Sequence, residues 1–184
     1  MNVKGSAVIS TIDFVNDKFP KQYNKWLDSL PPTSKDILAG NILPSMWYPL
    51  KESFIIPTQK LCEMFYNGDS KGAWEVGRYS ADLGLKKFYR VFLKFGSPHF
   101  LIKRASSIFS LYYENSKIIS SKEEDKLAIL RITEFQEPHE LVESRIAGWI
   151  ERALELTKGH HPVVRINKSL AREDDFTEIS ISWS

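Results

Sequence analysis

The chain has 184 residues, 42% of them hydrophobic, which is enough to bury one core, and we expect a single domain over residues 1–184. Its 25 basic and 23 acidic side chains leave a formal charge of +2, and this near balance gives no general case for nucleic-acid binding. The one cysteine, Cys62, excludes an internal disulfide and favours a reducing cytoplasm. No stretch approaches the roughly 20 apolar residues of a membrane span.

The first third of the chain predicts helical segments separated by prolines. Pro20 interrupts the first amphipathic segment, and Pro31 with Pro32 ends the next one, because proline cannot continue a helix. The predicted elements are a strand or helix start over residues 3–9, a helix from about residue 11, and helices over residues 35–43 and 50–66.

The clearest helix is predicted over residues 71–95. Its apolar side chains recur at helical spacing, and they are Trp74, Ala81, Leu85, Phe88 and Phe92. Gly77 and Gly84 lie beside this stripe. A glycine inside a helix costs about 1 kcal/mol, so we expect these two where another helix approaches closely.

The last third of the chain predicts strands. A helix over about residues 98–112 is followed by an extended segment at 117–120, a charged turn at 121–125, a strand at 126–135 buried on both faces or nearly so, and an amphipathic helix at 140–158. Residues 163–170 and 176–183 form a closing hairpin, with Thr177, Ile179, Ile181 and Trp183 on one face. The fold class is therefore α+β: a helical layer packed on a C-terminal antiparallel sheet of about four strands, with one helix between the two strand pairs.

No catalytic motif is present, so we expect a protein that is not an enzyme. The pair His160-His161 has no cysteine or acidic residue at zinc-type spacing, which favours a surface loop over a metal site. Cys62 lies among apolar residues without a neighbouring histidine, which favours a buried structural thiol over a nucleophile.

Short motifs occur in a recognisable order along nearly the whole chain. They are Val3-Lys4-Gly5, Leu30-Pro31-Pro32, Trp47-Tyr48-Pro49, Gly77-Arg78 with Ala81, residues 94–98, Tyr112-Tyr113, Gly148-Trp149 and Ile179-Ser180-Ile181-Ser182-Trp183. With this order the chain resembles an uncharacterised family of myxobacterial and related predatory-bacterial proteins and, more distantly, the 4-vinyl reductase type of small-molecule-binding domain. That superfamily includes haem nitric-oxide-binding domains and transport-complex subunits with a buried acyl channel.

Two departures from the family pattern concern cofactors. The usual tail has Gly-Asp followed by Cys before the last strand, whereas residues 172–178 contain no cysteine. The haem branch has a Tyr-x-Ser-x-Arg motif that holds the haem propionates, and this chain lacks it. Haem also needs an axial ligand, for which His99 is a candidate by position alone. We therefore expect no cofactor and no metal, with haem as the alternative.

The main hypothesis is a cytoplasmic, non-enzymatic domain that binds or senses a small apolar or amphipathic ligand and acts through a protein partner. Trp74, Arg78, Phe88 and Phe92 are the candidate pocket residues, and a homodimer is expected from the resemblance to the transport subunits. One alternative is an interaction or dimerisation module without a ligand, in which the aromatic side chains form the dimer face. A haem-based gas sensor is the second alternative.

Overall fold

A computed structural model of the chain describes residues 1–88, 97–157 and 159–184, and it confirms the α+β fold class. Helices dominate the N-terminal part, and an antiparallel sheet follows with one helix between its two strand pairs. The helices are α1 (Gly5–Lys18), α2 (Tyr23–Asp28), α3 (Pro32–Ala39), α4 (Ile56–Phe65), α5 (Lys71–Phe88), α6 (Pro98–Lys103), α7 (Ala105–Tyr112) and α8 (Glu140–Leu156). The strands are β1 (Asn2–Lys4), β2 (Trp47–Pro49), β3 (Lys117–Glu124), β4 (Leu127–Glu134), β5 (Val163–Lys168) and β6 (Thr177–Ser182).

Side chains at the helix starts explain where several helices begin. The Asp69 carboxylate accepts a 2.7 Å hydrogen bond from the backbone N–H of Lys71 at the start of α5. The Ser97 hydroxyl caps α6 in the same way, with Pro98 in the first turn. Pro57 lies in the first turn of α4, where its missing N–H breaks no helical bond, and a π-helical turn over Lys51–Ile55 precedes it. The helix predicted over residues 50–66 is therefore present, with a π-helical turn that continues directly into α4.

The four-stranded sheet has the order β3-β4-β6-β5, and every neighbouring pair is antiparallel. The closing strand β6 is central: Ile179 pairs with Leu130 of β4 on one side and with Ile166 of β5 on the other. Thr177, Ile179 and Ile181 are buried, as the alternation predicted.

Two predictions about the first strand pair are wrong. Residues 121–124 belong to β3 rather than to a turn, because residues 122–124 pair with β4 and Ser121 lies at a shift of register within the strand. Strand β4 is buried on one face only: Ala128, Leu130 and Ile132 point inward, and the residues between them are partly exposed. On the outer face Arg131 donates a 2.9 Å hydrogen bond to Glu178, so this face is stabilised by polar pairs and not by a second apolar layer.

Helices α5 and α8 cross in backbone-to-backbone contact at two glycines. A Cβ atom on Gly77 would lie 2.1 Å from the carbonyl oxygen of Arg145, and one on Gly148 would lie 2.2 Å from that of Trp74. Each helix thus accommodates the other's backbone at a position without a side chain, which confirms the predicted reason for Gly77. At Gly84 the only close atom among the described residues is the hydroxyl oxygen of Tyr112, at 3.1 Å. Residues 89–95 of the predicted long helix, including Phe92, lie outside the described residues.

Candidate ligand-binding site

An apolar cavity of about 70 Å³ lies between the helical layer and the inner face of the sheet. Its walls come from α5, from the short helices α6 and α7, from α8 and from the three strands β3, β4 and β6. The apolar side chains that line it are Ala7, Phe54, Leu101, Ile102, Ala105, Ile108, Phe109, Ile118, Leu130, Ile146, Ile150, Leu154 and Ile181. An apolar lining of this kind disfavours water and suits a small ligand with an apolar body.

Arg145 is the one charged residue among those that line the cavity in the described parts of the chain, and it is 3% exposed. Its guanidinium lies 3.6 Å from the centre of the Phe54 ring. Four hydrogen bonds run from its two terminal nitrogens to Thr11 Oγ1 (2.8 Å), Thr58 Oγ1 (2.9 Å), Ser10 Oγ (3.1 Å) and the carbonyl oxygen of Ala7 (3.2 Å). Arg145 therefore joins α8 to α1 and α4.

All four acceptors of Arg145 are neutral, and within the described residues it forms no ion pair. Burial lowers the pKa of Arg145 to about 10, partly offset by Tyr113 and Cys62, so the group is cationic at neutral pH. The other buried charge of α8, Glu143, accepts hydrogen bonds from the hydroxyls of Ser169 and Thr177 instead. A buried charge without a counter-ion is unusual, because buried charges are normally paired.

Trp149 follows Arg145 by one helical turn and also lines the cavity. Its indole N–H is buried and has no hydrogen-bond acceptor within the described part of the chain. The Trp149 ring packs at 6.3 Å, centre to centre, from the ring of Tyr112. A buried donor without an acceptor costs about 1–3 kcal/mol, so the cavity offers an unused donor beside an unneutralised cation.

Trp74 and Arg78, two of the predicted pocket residues, lie away from this cavity. The Trp74 indole N–H donates to Glu151 at 2.9 Å, and Arg78 forms ion pairs with Glu151 and Glu155. These contacts fasten α5 to α8 at a partly exposed surface. Gly77 and Ser80 are the α5 residues that reach the cavity. The side chain of Phe88, like Phe92, is outside the described part.

His99, the positional candidate for a haem ligand, faces the β3–β4 hairpin. Its Nδ1 lies 3.0 Å from a carboxylate oxygen of Glu123, and its Nε2 donates to the carbonyl oxygen of Asp125 at 2.8 Å. The ring also packs edge-on against Trp183 at 5.2 Å. His99 is thus held outside the cavity by three contacts. Across the described residues, no cluster of three or more His, Cys, Asp or Glu side chains could hold a metal ion.

Sequence reasoning missed Arg145, although a signal was present. The apolar stripe of α8 includes Val142, Ile146 and Trp149, and position 145 is three residues after the first and four before the last. Residues with that spacing share one helix face. An arginine within an apolar stripe predicts a buried cation, and that observation would have pointed to α8 and not α5 as the helix that brings polar groups to the site.

No protein-family model matches the chain, and no curated protein matches it. Solved structures of H-NOX proteins do match in three dimensions. The protein from Shewanella oneidensis in the Fe(II)NO ligation state is 14% identical, with a TM-score of 0.76 over 98% of this chain and 99% of that one. The Fe(II) unliganded protein from K. algicida is 10% identical, with a TM-score of 0.72 over 98% and 96%. A third H-NOX structure, from a study of haem distortion, is 14% identical, with a TM-score of 0.72 over 98% and 95%.

These neighbours correct two predictions. The resemblance to an uncharacterised myxobacterial family and, more distantly, to 4-vinyl reductase-type domains is wrong, because the matching structures are H-NOX proteins over nearly the full chain. The prediction of no cofactor is contradicted as well, since these neighbours are described as haem and Fe(II) proteins. At 10–16% identity the likeness extends to the fold. The chain has the fold of H-NOX proteins.

Proposed function

We propose that the chain is a non-enzymatic sensory domain that binds a small molecule in the cavity between its helical layer and its sheet. The observation that supports this best is the cavity itself, which combines an apolar lining with a buried cation at Arg145 and an unused donor at Trp149. Apolar pockets with a few convergent polar groups are the usual form of small-molecule sites. H-NOX structures, which are described with Fe(II), NO and haem, provide a precedent for ligand binding in this fold.

The cavity volume restricts the ligand. About 70 Å³ exceeds the roughly 30 Å³ that one water occupies in the liquid, and it is well below the roughly 300 Å³ at which drug-sized pockets begin. A ligand that fits without rearrangement is therefore a small molecule. A larger one requires the walls formed by α6 and α7 to move outward.

A haem-based gas sensor is the second candidate, and the fold likeness to H-NOX proteins favours it. Haem needs an axial histidine, cysteine, methionine or tyrosine. Among the described residues that line the cavity there is no histidine, cysteine or methionine. The tyrosines among them are Tyr112 and Tyr113. Burial raises the pKa of the Tyr113 hydroxyl, which opposes the tyrosinate form. Among the described lining residues, the usual histidine, cysteine and methionine ligands are thus missing and Tyr113 is disfavoured as one, which favours the first candidate over haem.

The walls of the cavity differ in rigidity, and the less rigid walls would transmit ligand binding. Helices α5 and α8 are held together by the glycine crossing and by the ion pairs of Arg78, while α6 and α7 are six and eight residues long and contribute mainly apolar side chains. Occupation of the cavity would displace α6 and α7 against a fixed α5–α8 pair. The surface of those short helices is then the region that a protein partner would recognise.

Association stays part of the proposal. We expect the domain to form a homodimer and an unidentified protein partner to recognise its ligand-bound state. The alternative is a module that associates without a ligand. In the described parts of the chain no helix is both long and apolar enough to cross a bilayer.

Binding can be tested with two probes and a variant that fills the cavity. Wild-type chain is mixed with haemin or with 1-butanol, and binding is followed by an absorption band near 400 nm (roughly the haem region) and by thermal stabilisation. Ala105→Leu adds a larger side chain to the cavity wall, and Ala39→Leu is the matched control on an exposed position of α3. We expect wild type and Ala39→Leu to bind one probe and Ala105→Leu to lose it. Absence of binding by wild type to both probes would overturn the proposed function, and a haem band would assign the cavity to the second candidate.

A further inference from the structure

Two polar groups that α8 brings to the cavity are both hydrogen-bond donors, and this restricts the ligand class. Among the described lining residues there is one cation, Arg145, and no Asp or Glu. The indole N–H of Trp149, one turn later on α8, has no acceptor among the residues that the structure describes. A neutral apolar ligand would leave both groups as they are, whereas a ligand with an anionic acceptor would neutralise the first and satisfy the second.

The hydrogen bonds of Arg145 leave room for such a ligand. A guanidinium has five N–H groups. The four bonds to Thr11, Thr58, Ser10 and Ala7 all leave from the two terminal nitrogens, so within the described residues the N–H on Nε is the remaining donor. The four acceptors also fix the orientation of the guanidinium, so an incoming anion would meet a preorganised cation and little side-chain entropy would be lost on binding.

We propose that the cavity binds a small carboxylate with an apolar body, whose carboxylate pairs with Arg145 and accepts from the indole N–H of Trp149. This inference rests on the proposed function and specifies its ligand class. The body of the ligand would contact the surrounding aliphatic side chains of α6, α7 and the sheet. The acid gains affinity from burial of its apolar body and from pairing of its charge, whereas an alcohol of equal length gains affinity from burial alone.

Matched acids and alcohols separate this inference from the proposed function. Affinities of wild-type chain are measured by calorimetry for n-butanoate and n-hexanoate and for 1-butanol and 1-hexanol. We expect each acid to bind at least about tenfold more tightly than its alcohol, as one charge-assisted hydrogen bond in a buried site predicts. Equal affinities for acid and alcohol would overturn the inference and leave the proposed function standing. Binding of neither class would overturn both.

Two variants test the assigned residues. Trp149→Phe removes the unpaired N–H and leaves no acceptor without a donor, so the chain should fold, and we expect about tenfold weaker acid binding with alcohol binding unchanged. Arg145→Gln removes the charge, and the preference for the acid should fall to about one. If Arg145→Gln does not fold, the Trp149→Phe result decides: unchanged acid affinity in Trp149→Phe contradicts the assignment, and a selective loss supports it.

Discussion

The glycine crossing of α5 and α8 makes the sharpest stability prediction. In Gly77→Ala the new methyl group would lie 2.1 Å from the carbonyl oxygen of Arg145, where ordinary van der Waals contact begins at 3.4 Å. The obstructing atoms are backbone atoms of a buried helix, so they cannot move aside as a side chain can. The two helices must separate by more than 1 Å, and the contacts around the crossing are lost with them.

The size of the effect follows from two opposing terms. Overpacking a buried site costs about 1–3 kcal/mol, and a clash with backbone belongs at the upper end of that range. Replacing glycine by alanine inside a helix stabilises that helix by about 1 kcal/mol. We therefore expect Gly77→Ala to lower the free energy of unfolding by about 2 kcal/mol. Gly84→Ala on the same helix meets only the flexible hydroxyl end of Tyr112 at 3.1 Å, and we expect it to be neutral or to gain up to about 1 kcal/mol.

Urea unfolding of wild type, Gly77→Ala and Gly84→Ala measures the three free energies under one set of conditions. The two variants share the residue change and the helix, so helix propensity cancels in their difference. A difference of about 2–3 kcal/mol is expected from the two terms above. Unfolding free energies that agree within about 0.5 kcal/mol, the usual range for surface substitutions, would refute the backbone contact.

Two further predictions concern ionised groups of α8. Glu143→Ala leaves the hydroxyls of Ser169 and Thr177 without their buried acceptor, so urea unfolding should show a loss of about 1–3 kcal/mol, and Glu143→Gln, which keeps an acceptor, should lose less. Burial raises the pKa of Glu155, but hydrogen bonds from two arginines outweigh it and hold the pKa below the ordinary 4.5. Stability from this group is therefore present above about pH 4.5 and lost as the pH falls below it, so acid unfolding of Glu155→Gln should show a shallower dependence on pH in that window; an unchanged dependence would contradict the ion pairs.

The sequence predicted the parts of the fold that depend on local periodicity. The alternation of Thr177, Ile179 and Ile181 identifies the buried face of β6, and the apolar stripe of α8 identifies that helix. The sequence could not show that β6 is a central strand, because its pairing with β4 depends on contacts between residues nearly 50 positions apart, such as Leu130 and Ile179. The leucines and isoleucines of β4 indicated burial of both faces, whereas only one face of this strand is buried in the structure.

The site was predicted less well because aromatic content was taken as the sign of a pocket. Trp74 and Arg78 lie on the helix with the most regular stripe, yet their side chains meet Glu151 at a partly exposed seam. The cavity is placed by elements that come together from both halves of the chain, such as α5 and α8. Arg145 was identifiable as a cation within an apolar stripe, but the absence of any carboxylate opposite it, among the residues that the structure describes, is a property of the tertiary structure.

The crossing of α5 and α8 also limits how the molecule can move. A contact made by two glycines has no interlocking side chains, so rotation of one helix over the other is opposed by the ion pairs of Arg78 with Glu151 and Glu155. A slide of α8 by one residue would bring Ala147 or Trp149 to the place that Gly148 vacates, and any Cβ there would collide with the backbone of α5. The crossing therefore fixes the register of the two helices. A signal that starts in the cavity would leave the domain through α6 and α7, not as a piston movement of α5 or α8.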